Sequence, residues 1–285
     1  MRKIVLILTF VMVALISNAT NYYIKSSGND ANTGLSDAQA WATTIKVNAA
    51  WAAGTFAAGD SILFKRGDTF IGTIIVRESG TSGRNIIVGA YGASNIPKPI
   101  ITGLKDLTGW TDVGGNIWES SATACKSTLN LVVVDGKIAQ IGRYPNAGTM
   151  LSYESFSGMV SITDNQLPAT PNWTGAEVYI RNNNYGGQRR TITDHTGTTI
   201  TYAGGNNGDM KNGYGYFIQN DVRTLDADKE WFFNPITKKI SMYFADNNPA
   251  LHTVKASIYD TIFLSTDKNY ITVTNLQLQG GNEAN

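Results

Sequence analysis

The chain has a single cysteine, few charges and no nucleotide- or metal-binding signature. Cys125 alone cannot build an internal disulfide framework or a cysteine-rich zinc site. Charged residues make up 16% of the chain and the net charge is +1. Soluble domains usually carry about 25%, and a nucleic-acid binder would show a basic stripe. A Walker loop, an HExxH pair, a GxSxG elbow and a dinucleotide fingerprint are all missing, so ATPase, zinc-protease, α/β-hydrolase and Rossmann readings have no support. No Pro- or Ser-rich linker sets off an independent module.

What the chain does have is length and β-type composition. It counts 285 residues, 42% of them hydrophobic, which is enough for one large domain or two ordinary ones. Its 29 glycines, with many Asn and Thr, point to tight turns between strands. The start reads as a secretory signal. Met1-Arg2-Lys3 is basic, Ile4 to Ile16 is apolar apart from Thr9, and Ser17-Asn18-Ala19 offers small residues for cleavage. The run is shorter than the roughly 18–20 residues that span a bilayer. The mature protein is therefore expected to be secreted, periplasmic or on the cell surface, with no membrane insertion after cleavage. Cys125 is expected to be buried and inert.

The mature chain reads as β almost throughout. One helix is expected over Thr43 to Trp51, opened by threonine caps. Short strands rich in Ile and Val are expected at Ser61–Lys65, Thr73–Arg77, Asn85–Ala90 and Pro99–Thr102. The last stretch packs Thr261–Leu264, Tyr270–Val273 and Leu276–Leu278 into about one 20-residue repeat. Strands this short bury their apolar faces when the chain coils and each stacks on the one before, giving parallel pairing. Ile262, Ile271 and Leu276 are then expected to line a shared interior. Residues 104–253 break the rhythm and read as an antiparallel sandwich or small barrel, with hairpin turns at Asp135-Gly136 and Thr196-Gly197. No cap follows the last repeat, so the stretch reads as the front of a longer coil.

Several segments carry a family resemblance. They include Tyr22-Tyr23-Ile24, Ser27-Gly28-Asn29-Asp30, Trp41, Gly59-Asp60-Ser61-Ile62-Leu63-Phe64 and Arg66-Gly67-Asp68-Thr69-Phe70. Ala90-Tyr91-Gly92, Pro99-Ile100-Ile101-Thr102-Gly103, Val134-Asp135-Gly136-Lys137, Arg143-Tyr144-Pro145-Asn146 and Glu230-Trp231-Phe232-Phe233 continue it. Together they resemble secreted proteins of the pectate-lyase-like superfamily. The resemblance implies an all-β chain: the start of a right-handed parallel β-helix with an N-terminal helix cap and an inserted antiparallel β-sandwich or barrel. The expected organisation is a signal peptide over 1–19, cap and first rung over 20–103, insert over 104–253 and resumed helix over 254–285. It also implies carbohydrate processing, by a polysaccharide lyase or a glycoside hydrolase whose catalytic residues lie on later rungs. Ca²⁺ would enter only for a lyase; no cofactor is assigned. Lys229 departs from the pattern, because relatives often have glycine before the Glu-Trp pair.

Within the chain, Tyr185, Arg189, Arg190 and His195 form the candidate substrate-binding cluster. Histidine is a natural general base, arginine suits uronate carboxylates, and tyrosine stacks on sugar rings. The same residues also fit a solvated hairpin with His195 at its tip. Asp226, Asp228 and Glu230 would share a face if extended, yet they also fit a polar turn before Trp231. Asp30, Asn32 and Gly34 have the look of a calcium loop, but its twelfth position is Trp41 rather than Glu, which favours an Asx-rich turn. Gly213-Tyr214-Gly215-Tyr216-Phe217 offers aromatics either to sugar or to the core. His252 stands alone. The expected partner is a polysaccharide and not nucleic acid; a non-catalytic adhesin or glycan-binding module is the alternative.

Overall fold

The computed structural model describes residues 19–205 and 208–283. The expected signal segment, except Ala19, and the last two residues lie outside that range. The chain is all-β with few helices, and it divides into two compact units.

The first unit comprises the described residues of 1–101 and 263–278. Asn21–Ile24, Ser61–Lys65, Ile86–Tyr91 and Ile271–Val273 lie side by side in one sheet, every pair parallel. Phe263–Leu264 runs parallel to Ile74–Ile75. Gln277–Gln279, Ile100–Thr102 and Thr69–Ile71 form a third sheet in that order. The three short strands after residue 262 are therefore dealt out one to each sheet. The 12- to 14-residue steps from Ile74 to Ile86 to Ile100 likewise move between sheets, not between stacked strands. Register aligns Ile62 with Val88, and Val88 with Val273. Ile62 and Val88 are fully buried, whereas Val273 is 44% exposed. Ile86 is buried, while its partner Ile271 is only half covered. Cover is thus lost at the last strand of the ladder.

The helix Thr44–Ala52 starts as expected: Thr43 caps it by accepting a hydrogen bond from Lys46 N, 3.1 Å away. Asp30 fixes the preceding loop. Its carboxylate accepts from Ala42 N, Thr43 N and the Thr43 hydroxyl. The Asx-rich turn, not a cation loop, is what this segment forms.

The second unit comprises the described residues of 102–262 and 279–285 and is antiparallel. Two four-stranded sheets share one core, built from Val132, Val134, Val254 and Ala256 on one side and Trp231, Phe233, Ile240 and Met242 on the other. Val254–Ser257, which the sequence assigns to the resumed coil, pairs antiparallel with Val132–Val134 and Leu104–Asp106. A larger eight-stranded sheet surrounds a second core of Tyr153, Ile162, Trp173, Val178, Ile180, Ile200, Tyr202, Tyr216 and Ile218. Asp135 and Gly136 both take positive φ at the expected hairpin turn between Val134 and Lys137. Cys125 is buried, and burial pushes its thiol pKa up.

Candidate functional site

The strand Gly187–Thr196 settles where three of the four candidate residues go. Arg189 is opposite Tyr179 and Arg190 is opposite Val178 in the neighbouring strand Glu177–Arg181. Side chains alternate between faces along a strand. Val178 is in the core, so Arg190 is on the inner side and Arg189 on the outer one. Arg190 donates to Gln188 Oε1 and, at 3.2 Å, to Gly205 O. A register shift falls between Ile192 and Asp194. Beyond it, His195 is only 4% exposed, and its Nδ1 accepts from Trp173 N at 3.1 Å. His195 is therefore a core histidine, not a tip residue, and the four residues do not converge.

The outer face carries a different arrangement. Phe217 and Tyr179 are cross-strand partners whose rings stack 4.9 Å apart. The Arg143 guanidinium sits 3.7 Å from the Phe217 ring centre, a cation–π contact. Glu177 draws the polar groups together. It accepts from Arg189 Nη2 at 2.6 Å and Nε at 3.0 Å, and from Gln219 Nε2 at 3.0 Å. Arg189 also reaches Asn130 Oδ1 at 3.2 Å. Gly187 is required here, because a Cβ would stand 2.7 Å from the Tyr179 ring and 2.6 Å from Ile180 O.

Next to this face, the loop between the two strands builds a cleft. Met150, Tyr179, Arg181, Asn184, Tyr185 and Gly186 line a space of about 230 Å³. Asn183 Oδ1 accepts from the backbone N–H groups of Tyr185 and Gly186, both at 2.8 Å. Arg181 donates to Asn183 O and Asn184 O and lies 4.8 Å from the Tyr214 ring centre. The Tyr214 hydroxyl donates to Asn184 Oδ1 at 2.7 Å. Tyr185 itself is 99% exposed. In the aromatic run 213–217, Tyr216 belongs to the core and Phe217 to the outer face.

One further group, the acidic trio, follows its polar-turn reading, and another, His252, differs from its reading as a lone residue. Glu230 is 2% exposed and precedes the strand Trp231–Phe233, where it accepts from Asp226 N and Ala227 N. The three acidic residues thus form a turn, not a shared strand face. Burial, followed by the charge of Asp226, raises the Glu230 pKa. His252 is not isolated. Its ring nitrogens lie 2.7 Å from Asp135 and 2.8 Å from Asp246. Sequence spacing hides this cluster because Asp135 is 117 residues away. The outer-face row was more legible: Glu177, Tyr179 and Arg181 alternate with the buried Val178 and Ile180. Among the described residues no group of three or more His, Cys, Asp or Glu side chains is arranged to hold a metal ion, and no helix is long and apolar enough to cross a membrane.

Comparisons with known proteins add the following. No protein-family profile matches the chain. A lacto-N-biosidase of Bifidobacterium longum subsp. longum is 28% identical over 166 residues, which is 57% of this chain and 9% of that protein. A solved structure titled glycoside hydrolase superposes with a TM-score of 0.69 at 16% identity, covering 93% of this chain and 51% of that one. The chain thus shares its fold with that structure and spans about half its length. A lacto-N-biosidase structure from Eubacterium ramulus is 30% identical over 31% of this chain and 14% of that one, with a TM-score of 0.26.

Proposed function

We propose that the chain is the N-terminal part of an exported glycoside hydrolase built on a right-handed parallel β-helix. The observation that carries this reading is the superposition of 93% of the chain on the solved glycoside hydrolase. The parallel ladders of the first unit support the coil. The half-covered Val273 and Ile271 on the last strand leave an edge on which a further rung would rest. The local identity to a lacto-N-biosidase favours hydrolysis over elimination. The basic and apolar N-terminus supports export.

In this reading the second unit is an insert, and the reacting carboxylates lie on rungs beyond residue 285. A hydrolase needs two of them flanking the glycosidic oxygen, about 5–5.5 Å apart for retention or about 6.5–9.5 Å for inversion. The test is to incubate the complete gene product with a panel of neutral and acidic oligosaccharides and polysaccharides. New reducing ends without an ultraviolet-absorbing double bond are expected. An unsaturated product would make it a lyase, and no product from any glycan would remove the enzyme reading.

A further inference from the structure

We propose that the cleft beside Tyr185 is a subsite for one sugar ring bearing an anionic group. The proposal deepens the carbohydrate reading above and rests on it. Three observations converge. First, Tyr185 presents a nearly fully exposed ring. The hydrogen bonds from Tyr185 N and Gly186 N to Asn183 Oδ1 hold the backbone beneath it, so the ring is offered from a fixed loop. Water gains nothing from an aromatic face so displayed, whereas the C–H face of a pyranose covers it well. Second, the cleft is about 230 Å³, below the roughly 300–1,000 Å³ that enclose a drug-sized ligand. It suits a single ring, with the chain leaving through the open side.

Third, the one charged residue lining the cleft is Arg181. Arg189, Lys211 and Arg223 on this unit pair with a carboxylate, whereas Arg143 and Arg190, away from the cleft lining, are held like Arg181 by neutral oxygens. Arg181 donates to the carbonyls of Asn183 and Asn184 through Nε and Nη2. Both bonds fix the guanidinium in place and neither neutralises it. Its Nη1 has no bond to the protein among the described residues. A carboxylate or sulfate on the sugar would supply the missing counter-charge through a charge-assisted hydrogen bond. The Asn184 side chain, held by the Tyr214 hydroxyl, stands ready for a ring hydroxyl.

The test is calorimetric titration of the chain with trigalacturonate and with neutral xylotriose, repeated on Tyr185→Ala and Arg181→Gln. Trigalacturonate is expected to bind with millimolar affinity that falls as salt rises. Tyr185→Ala is expected to weaken it about tenfold with an unchanged circular dichroism spectrum, because the ring it removes packs on nothing. Arg181→Gln is expected to erase the preference for the acidic ligand. The proposal is overturned by no heat with trigalacturonate, by equal binding of xylotriose, or by full binding in Tyr185→Ala. Glycan cleavage by the complete gene product is scored separately. Cleavage without cleft binding ends the subsite alone, and binding without cleavage ends the hydrolase reading alone.

Discussion

Nδ1 of His252 lies 2.7 Å from Oδ2 of Asp135, joining the Asp135-Gly136 hairpin turn to the end of the short Pro249–Leu251 helical turn. Asp246 takes the other ring nitrogen, and the imidazole stacks on Phe244 at 5.3 Å. Burial lowers the His252 pKa, but the two carboxylates outweigh it and the net shift is upward. Both aspartates are shifted down, chiefly by their hydrogen bonds to His252. A raised histidine stabilises the fold fully below its unfolded pKa of about 6.5 and ceases to do so as pH rises through the folded value. The lowered aspartates stabilise above their unfolded pKa of about 3.9 and cease to do so as pH falls through their folded values. The cluster should therefore stabilise most between about pH 4 and 6.5. Melting temperature measured against pH for the wild type and His252→Gln should give a bell-shaped difference over that window. A flat difference would show that the histidine and its two aspartates titrate alike in the folded and unfolded chain.

His195→Ala should cost stability and leave glycan binding alone. The histidine Nδ1 accepts the Trp173 N–H inside the core. Removing it strands a buried donor, at about 1–3 kcal/mol, and opens a void beside Trp173. Urea unfolding should report a loss of about 2–3 kcal/mol, while the folded variant titrates with trigalacturonate as the wild type does. A binding defect in the folded variant would return His195 to the site.

These two histidines show what was legible in the sequence. Local periodicity carried the short Ile- and Val-rich strands, the Thr43 cap and the Asp135-Gly136 turn, because each depends on neighbours within a few residues. It could also have separated Arg189 from Arg190, since adjacent residues of a strand face opposite ways. It could not place His195, because the irregularity between Ile192 and Asp194 resets the alternation. Nor could it pair His252 with Asp135, or Phe217 with Tyr179, because those contacts are set by sheet order. Asn130 meets Arg189 across 59 residues for the same reason.

The strand Ile271–Val273 predicts how the isolated chain behaves. It ends its sheet and leaves Val273 44% exposed. Such an edge pairs readily with another chain, and a lysine on it opposes pairing. Light scattering of concentrated protein should show self-association, and Val273→Lys should slow it several-fold with little change in melting temperature. Equal rates in both proteins would mean that this edge is already protected.

Lys229 offers the sharpest test of backbone conformation. Its φ is +65°. That left-handed geometry costs an L-residue roughly 1–2 kcal/mol relative to glycine. The turn is nevertheless held: Lys229 N donates to Tyr243 O at 2.8 Å, and Glu230 caps it from inside. The ammonium is 3.8 Å from Asp135 and 3.9 Å from Asp228, long contacts between partly exposed groups that contribute little. Lys229→Gly relieves the strain but frees the unfolded backbone, which takes back part of the gain. The net expectation is a stabilisation of about 0.5–1 kcal/mol. Lys229→Val should move the other way by more than that, because a β-branched residue fits this region worst. Chemical unfolding of the three proteins should rank them glycine, lysine, valine. A lysine protein more stable than its glycine variant would mean that the weak ion pairs, not the backbone, decide this turn.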